Sequence, residues 1–179
     1  VDSLITELSE AAEDTLKVEI LIALGEAYKY NLPDTAMFYF QEALLISEEI
    51  ESPTYLAYCR RNIGMVKESQ GLYDQALEEY FAALAIYEEA GSKHGIAMCY
   101  NSIAIVHYIQ ESHELCMEYL TKSYEIKKEL GDTQGMSHYY TNMAVLHNSL
   151  GQYNEALEFT ELSLELFVEL DDQIGIATA

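Results

Sequence analysis

Five histidines, three cysteines and 31 acidic residues are the side chains of this sequence best suited to chemistry, and their spacing speaks against most of it. His107 and His147 lie 40 residues apart, with His138 nine residues before the second. A metalloprotease helix needs two histidines four residues apart around a glutamate; His113-Glu114-Leu115-Cys116-Met117 puts a methionine at the second ligand position. Cys59, Cys99 and Cys116 are an odd number without CxxC or zinc-ligand spacing, and read as small buried apolar residues. No nucleophile elbow, phosphate-cradling glycine loop or dinucleotide fingerprint is present. Carboxylate pairs such as Glu88-Glu89 fall on a face expected to be solvated, with nothing to raise a pKa. The sequence therefore predicts no catalytic set, no metal site and no cofactor.

Binding chemistry remains. Nine basic residues against 31 acidic ones give a net charge of -22, which repels phosphate backbones and anionic lipid surfaces. Nucleic acid is excluded as the natural partner, and a cationic, apolar or amphipathic protein or peptide is favoured. No run of about 18 apolar residues exists to span a bilayer. Fifteen tyrosines and an apolar half of the composition supply more burial than a disordered acidic chain carries, so the acid is expected to be a solvated outer face.

The elements that position these side chains follow from an internal repeat of 40 residues. Residues 55–94, 95–134 and 135–174 superpose without a gap, with Ile63-Gly64, Ile103-Ala104 and Met143-Ala144 in register. An earlier copy over 16–54 carries Leu24-Gly25 at the same place with a turn one residue shorter, preceded by a helical lead-in over 1–15. Gly175-Ile176-Ala177 repeats Gly95-Ile96-Ala97 and predicts the start of a fifth unit at 175–179, so the chain reads as a segment of a longer array.

Apolar residues at three- and four-residue spacing, as in Leu77, Tyr80, Phe81, Leu84 and Tyr87, make each unit two helices. Gly71-Leu72-Tyr73-Asp74 and Gly151-Gln152-Tyr153-Asn154 mark the turn between them, with glycine ending one helix and Asp or Asn expected to cap the next. Small residues at Gly25, Gly64, Ala104 and Ala144, and at Ala36, Ala76, Cys116 and Ala156, predict close helix contact. Ala43, Ala83, Ser123 and Ser163 are expected to repeat that device toward the next unit.

With small residues at the eighth position, Tyr28, Lys67, His107 or His147 at the eleventh, and alanine at the twentieth in Ala76 and Ala156, the chain resembles the tetratricopeptide repeat. It departs in having 40 residues per unit in place of 34, which implies longer second helices. The resemblance implies an all-α fold, a right-handed superhelical α-solenoid of antiparallel helix pairs. At the eleventh position it also implies a ring packed between helices, so His107 and His147 are expected to be packing residues. Long-helix repeats of this kind are similar to Rap-type peptide-responsive bacterial regulators, LGN-like adaptors and the sensor segments of Bacteroidetes histidine kinases. Asp2-Ser3-Leu4, Asp14-Thr15-Leu16-Lys17-Val18 and Pro33-Asp34-Thr35-Ala36 resemble the last group.

In such repeats the first helices line the concave face. Register then names a partner-binding groove of Tyr58, Arg61 and Asn62, then Met98, Asn101, Ile105 and Tyr108, then His138, Thr141, Asn142 and Asn148, with Met65, Glu68 and Val145 at the intervening positions. A side-chain amide both donates and accepts, so the asparagines could hold a ligand by its main chain; they could equally satisfy neighbouring helix ends or face water. The expected function is a protein- or peptide-binding module, the sensory or docking part of a larger bacterial signalling protein. The alternatives are a stand-alone adaptor and a scaffold that homodimerises.

Overall fold

The computed structural model describes residues 1–10 and 14–170; the expected separator Asp171-Asp172 and fifth-unit start at 175–179 lie outside them. Nine helices, and no strand, occur among the described residues: α1 Asp2–Glu10, α2 Asp14–Tyr28, α3 Pro33–Glu49, α4 Pro53–Ser69, α5 Tyr73–Glu89, α6 Lys93–Ile109, α7 His113–Leu130, α8 Thr133–Ser149 and α9 Tyr153–Glu169. The fold is all-α, built from short-looped helix pairs of the solenoid class. The helices divide between two compact units, Val1–Gly95 and Ile96–Ala179.

In the first unit, Ala36, Phe40, Ile63 and Val66 form one buried cluster, and Val18, Leu21, Ala43 and Cys59 form another. In the second, Ala104, Cys116, Leu120, Met143 and Leu146 pack together, ringed by Tyr108, Tyr119, Tyr139 and Phe159. Each pair closes on one small residue. A Cβ on Gly25 would stand 2.5 Å from the ring of Phe40, and one on Gly64 would stand 2.6 Å from the ring of Tyr80. The repeat-equivalent residues change together: where Gly becomes Ala104 or Ala144, the facing position becomes Leu120 or Thr160. The first three pairs keep a similar summed volume, as dense packing demands, whereas Ala144 with Thr160 falls short of it and both line an open cleft.

A second exchange occurs at the start of the first helices. Tyr87 packs against Gly95, and the Cδ of Lys127 lies 2.7 Å from where a Cβ on Gly135 would stand. In the remaining described copy the large residue moves across to Tyr55 and the second-helix residue is Ser47.

Two expectations are corrected. Asp74 does not cap α5, and Asn154 does not cap α9: the N-caps are Leu72 and Gln152, with no side-chain hydrogen bond. Asp74 lies in the first turn of α5, where a carboxylate favours the helix dipole. The side-chain caps that do form are Asp132, accepting from the Gly135 amide at 2.8 Å, and its repeat equivalent Ser92, accepting from the Gly95 amide at 3.4 Å. Ser123 and Ser163 also do not point toward the next unit. Their hydroxyls donate to the carbonyls of Ala97 and Ser137 at 2.8 and 3.1 Å, each within its own helix pair.

The turns need left-handed backbone, supplied by Gly71, Gly91, Gly131 and Gly151 at φ between 65 and 76°, and by Glu51 and Glu111 at φ 50° and 57°. Glutamate has no steric licence there, at a cost of about 1 kcal/mol. Thermal unfolding should show Glu111→Gly melting about 2–4 °C higher, and Gly151→Ala, whose Cβ would meet no atom within 4 Å, melting lower by a similar amount.

Candidate functional site

The first-helix positions named from the register do not form one uniform lining. In the first unit, Tyr58 is half-buried and its hydroxyl donates to the Glu26 carboxylate on α2. A parallel bridge joins Tyr55 to Glu19 at 2.5 Å. Burial, then the Glu26 hydrogen bond, pushes the Tyr58 phenol up to about 12, so it stays a neutral donor. Asn62 is buried: its Nδ2 donates to the Tyr58 carbonyl at 2.9 Å, and its Oδ1 is sealed with no protein partner among the described residues. A ligand main chain does not reach it. The repeat explains the sealed oxygen, since the α2 position matching Asn101 is Ile22, which offers no donor.

Further along α4, Glu68 accepts from the Tyr80 hydroxyl at 2.6 Å. Burial raises its carboxyl, while Tyr80 and the charge of Arg61 oppose that. Arg61 is half-buried and thus engaged electrostatically within the unit.

The second unit gathers more of the predicted set. Asn142 Nδ2 on α8 donates to Asn101 Oδ1 on α6 at 3.1 Å. Each amide spends one function on the other, which leaves donors on Asn101 and an acceptor on Asn142. Beside Asn142 lies a small recess of about 40 Å³ lined by Ile105, Tyr108, Val145, Leu120 and the small residues Ala104 and Cys116. Asn101, Ile105, Tyr108 and Asn142 are therefore one patch, half-buried and polar at one edge.

Thr141 and Asn148 belong to a different cleft of about 490 Å³, with Val145, Tyr153, Leu157 and Thr160. The Thr141 hydroxyl is engaged there with Ser163 Oγ at 2.7 Å. Met98 and His138 line neither cavity, and the exposed His138 ring meets Phe167 edge-on at 5.6 Å. Tyr153, Leu157 and Thr160 were absent from the register argument because they belong to a second helix. The signal that could have found them is that Cys116 and Leu120, the equivalents of Ala156 and Thr160, line the recess under α8.

His107, His147 and the cysteines are packed away, while His94 is exposed. His107 stacks on Tyr119 at 5.6 Å and His147 lies against Phe159 at 5.1 Å. The Nδ1 of each is buried without a hydrogen bond among the described residues. Burial pushes the thiols of Cys59 and Cys116 up to about 12 and about 11, which removes them as nucleophiles. No group of three or more His, Cys, Asp or Glu converges as a metal site among the described residues.

Burial lowers the His107 pKa from its ordinary 6.5, so the unfolded chain takes up this proton before the folded one does. Stability from His107 is full above pH 6.5 and is lost as pH falls toward the lowered folded value. Denaturation midpoints at pH 7.5 and pH 5.5 should drop further for the wild type than for His107→Phe.

The sequence profile described as tetratricopeptide repeat matches residues 54–129 and 95–169. No curated protein matches the chain by sequence. Among solved structures, a Rap protein complexed with Competence and Sporulation Factor superposes with a TM-score of 0.88 at 18% identity, over 96% of this chain and 48% of that one. The Rap conjugation gene regulator of plasmid pLS20 in complex with the Phr* peptide gives 0.85 at 22% identity, over 93% and 47%. Aspartyl phosphate phosphatase F from Bacillus subtilis gives 0.85 at 18% identity, over 96% and 45%. This chain spans less than half the length of each of these three, and at such identities the likeness is one of fold. The profile match covers well over half the sequence with the register of small residues found above, and the chain belongs to the tetratricopeptide repeat family.

Proposed function

We propose that the chain is a peptide- or protein-binding module in which the Asn101–Asn142 patch of the second unit is the contact surface, serving a larger bacterial signalling protein as its sensory or docking part. The observation that carries this reading is the amide pair with donor and acceptor capacity left over, set beside the recess of Ile105, Tyr108 and Val145. An extended or helical ligand would give its main chain to the amides and one apolar side chain to the recess. The Rap structures, one complexed with Competence and Sporulation Factor and one in complex with the Phr* peptide, support the same use of this fold. Met98 and His138 of the same unit would be secondary contacts; Tyr58 and Arg61 would be contacts of the first unit's own surface, where Asn62 acts structurally.

The second reading is a homodimer through the open cleft of the second unit, favoured by the exposure of Tyr153 and Leu157 at 70% and 58%. Light scattering over a hundredfold concentration range separates it: a Leu157-dependent dimer supports self-association, and a monomer throughout removes it.

For the leading reading, peptides selected from a random display library against the wild type should bind the Asn101→Ala/Asn142→Ala variant about 10- to 30-fold more weakly, two amide hydrogen bonds being worth about 1 kcal/mol each. The melting temperature should stay within a few degrees. Unchanged affinity would remove the patch as the binding surface.

A further inference from the structure

The first unit contains a cleft that the binding patch does not use. It measures about 470 Å³ and lies where the ends of α3 and α5 meet the start of α4, lined by Ser47, Pro53, Leu56, Ile86 and Ala90 with Glu48, Glu51 and Glu89 at its rim. Its floor is aliphatic and its rim is entirely acidic; no Lys, Arg or His lines it. Two helix C-termini, each an electronegative end, converge on it, and neither α3 nor α5 carries a basic residue in its last turn.

The second unit carries a lysine at the equivalent place. There the position equivalent to Ser47 is Lys127, which is only 9% exposed, with its stem packed over Gly135. α7 carries both Lys127 and Lys128 in its last turn. The position equivalent to Ala90 is Leu170. In the first unit these two positions are Ser47 and Ala90, and both line the cleft. Tyr55, the large residue of the other exchange, turns away, its hydroxyl on Glu19. Glu51 is held at φ 50° where the repeat elsewhere places Gly91 and Gly131, so a carboxylate is kept at the rim against local backbone preference.

We infer that this cleft is a docking site for a lysine side chain presented by a partner peptide or protein, its aliphatic stem on Leu56, Ile86 and Ala90 and its ammonium among Glu48, Glu51 and Glu89. The charge complementarity is that of the whole chain, -22, brought to one apolar-floored place. The site is separate from the asparagine patch and stands or falls independently of it.

The test uses nitrogen-labelled protein and the doubly capped pentapeptide Ala-Leu-Lys-Leu-Ala, followed by amide chemical shifts. Binding should be about millimolar, with shifts centred on Glu51, Ser52, Leu56 and Ala90. It should vanish with the acetyl-lysine peptide and weaken about fivefold for Glu48→Gln/Glu89→Gln, whereas Glu155→Gln/Glu158→Gln on α9, of equal charge change, should leave it intact. Glu51→Gly should bind more weakly while melting higher, which separates loss of the site from loss of the fold. Equal binding of the acetylated peptide, or an equal effect of the α9 variant, would overturn the proposal.

Discussion

The closest contact between the two helices of each pair controls the rest of this architecture. Gly25 meets Phe40 and Gly64 meets Tyr80 at distances that leave no room for a methyl group. As the first-helix residue grows to Ala104 and Ala144, the partner shrinks to Leu120 and Thr160. Three helix pairs thus share a summed volume although the individual residues differ, and the fourth, Ala144 with Thr160, falls short of it and borders a cleft. That spacing fixes which residues of a first helix turn inward to its own partner and which remain for the neighbouring first helix and for ligands.

The binding patch is a consequence of that division. Asn101 and Asn142 stand on consecutive first helices of the second unit and reach each other only because α6 and α8 are held side by side over the cluster of Leu120, Met143 and Leu146. The same register in the first unit sets Asn62 opposite an apolar position, and the amide turns back to its own helix. One motif thus has two roles, decided by a single neighbour. The tyrosine-to-glutamate bridges from α4 to α2 stabilise the corresponding surface in the first unit but consume its hydrogen-bonding capacity.

Much of this was legible in the sequence because it depends on spacing. The repeat, the helix-turn-helix unit and the glycine turns follow from residues recurring at a fixed interval, and the packed His107 and His147 from what the family resemblance implies at the eleventh position. What periodicity could not supply was direction within a position. Ser123 and Ser163 bond inside their own pair because each buried hydroxyl reaches a carbonyl of the facing first helix, a direction that the pattern of small residues does not encode. Asp74 sits two residues past the N-cap position, Leu72, too far along to cap α5. Thr141 and Asn148 separate from Asn101 and Asn142 because the face they occupy is covered by α8 in one copy and open in the other. The acidic cleft of the first unit arises from departures from the repeat, at Ser47, Glu51 and Ala90, and a search for similarity passes over these.

The volume rule that organises the molecule can be measured without any ligand. In a double-mutant cycle, Gly25→Ala and Phe40→Leu should each destabilise the protein, the first by overpacking and the second by lost burial. Their combination should recreate the Ala104–Leu120 arrangement of the second unit. The double variant is predicted to cost at least about 1 kcal/mol less than the sum of the singles in denaturant unfolding. Additivity to within about 0.3 kcal/mol would contradict the account, because the two positions would then not share one volume.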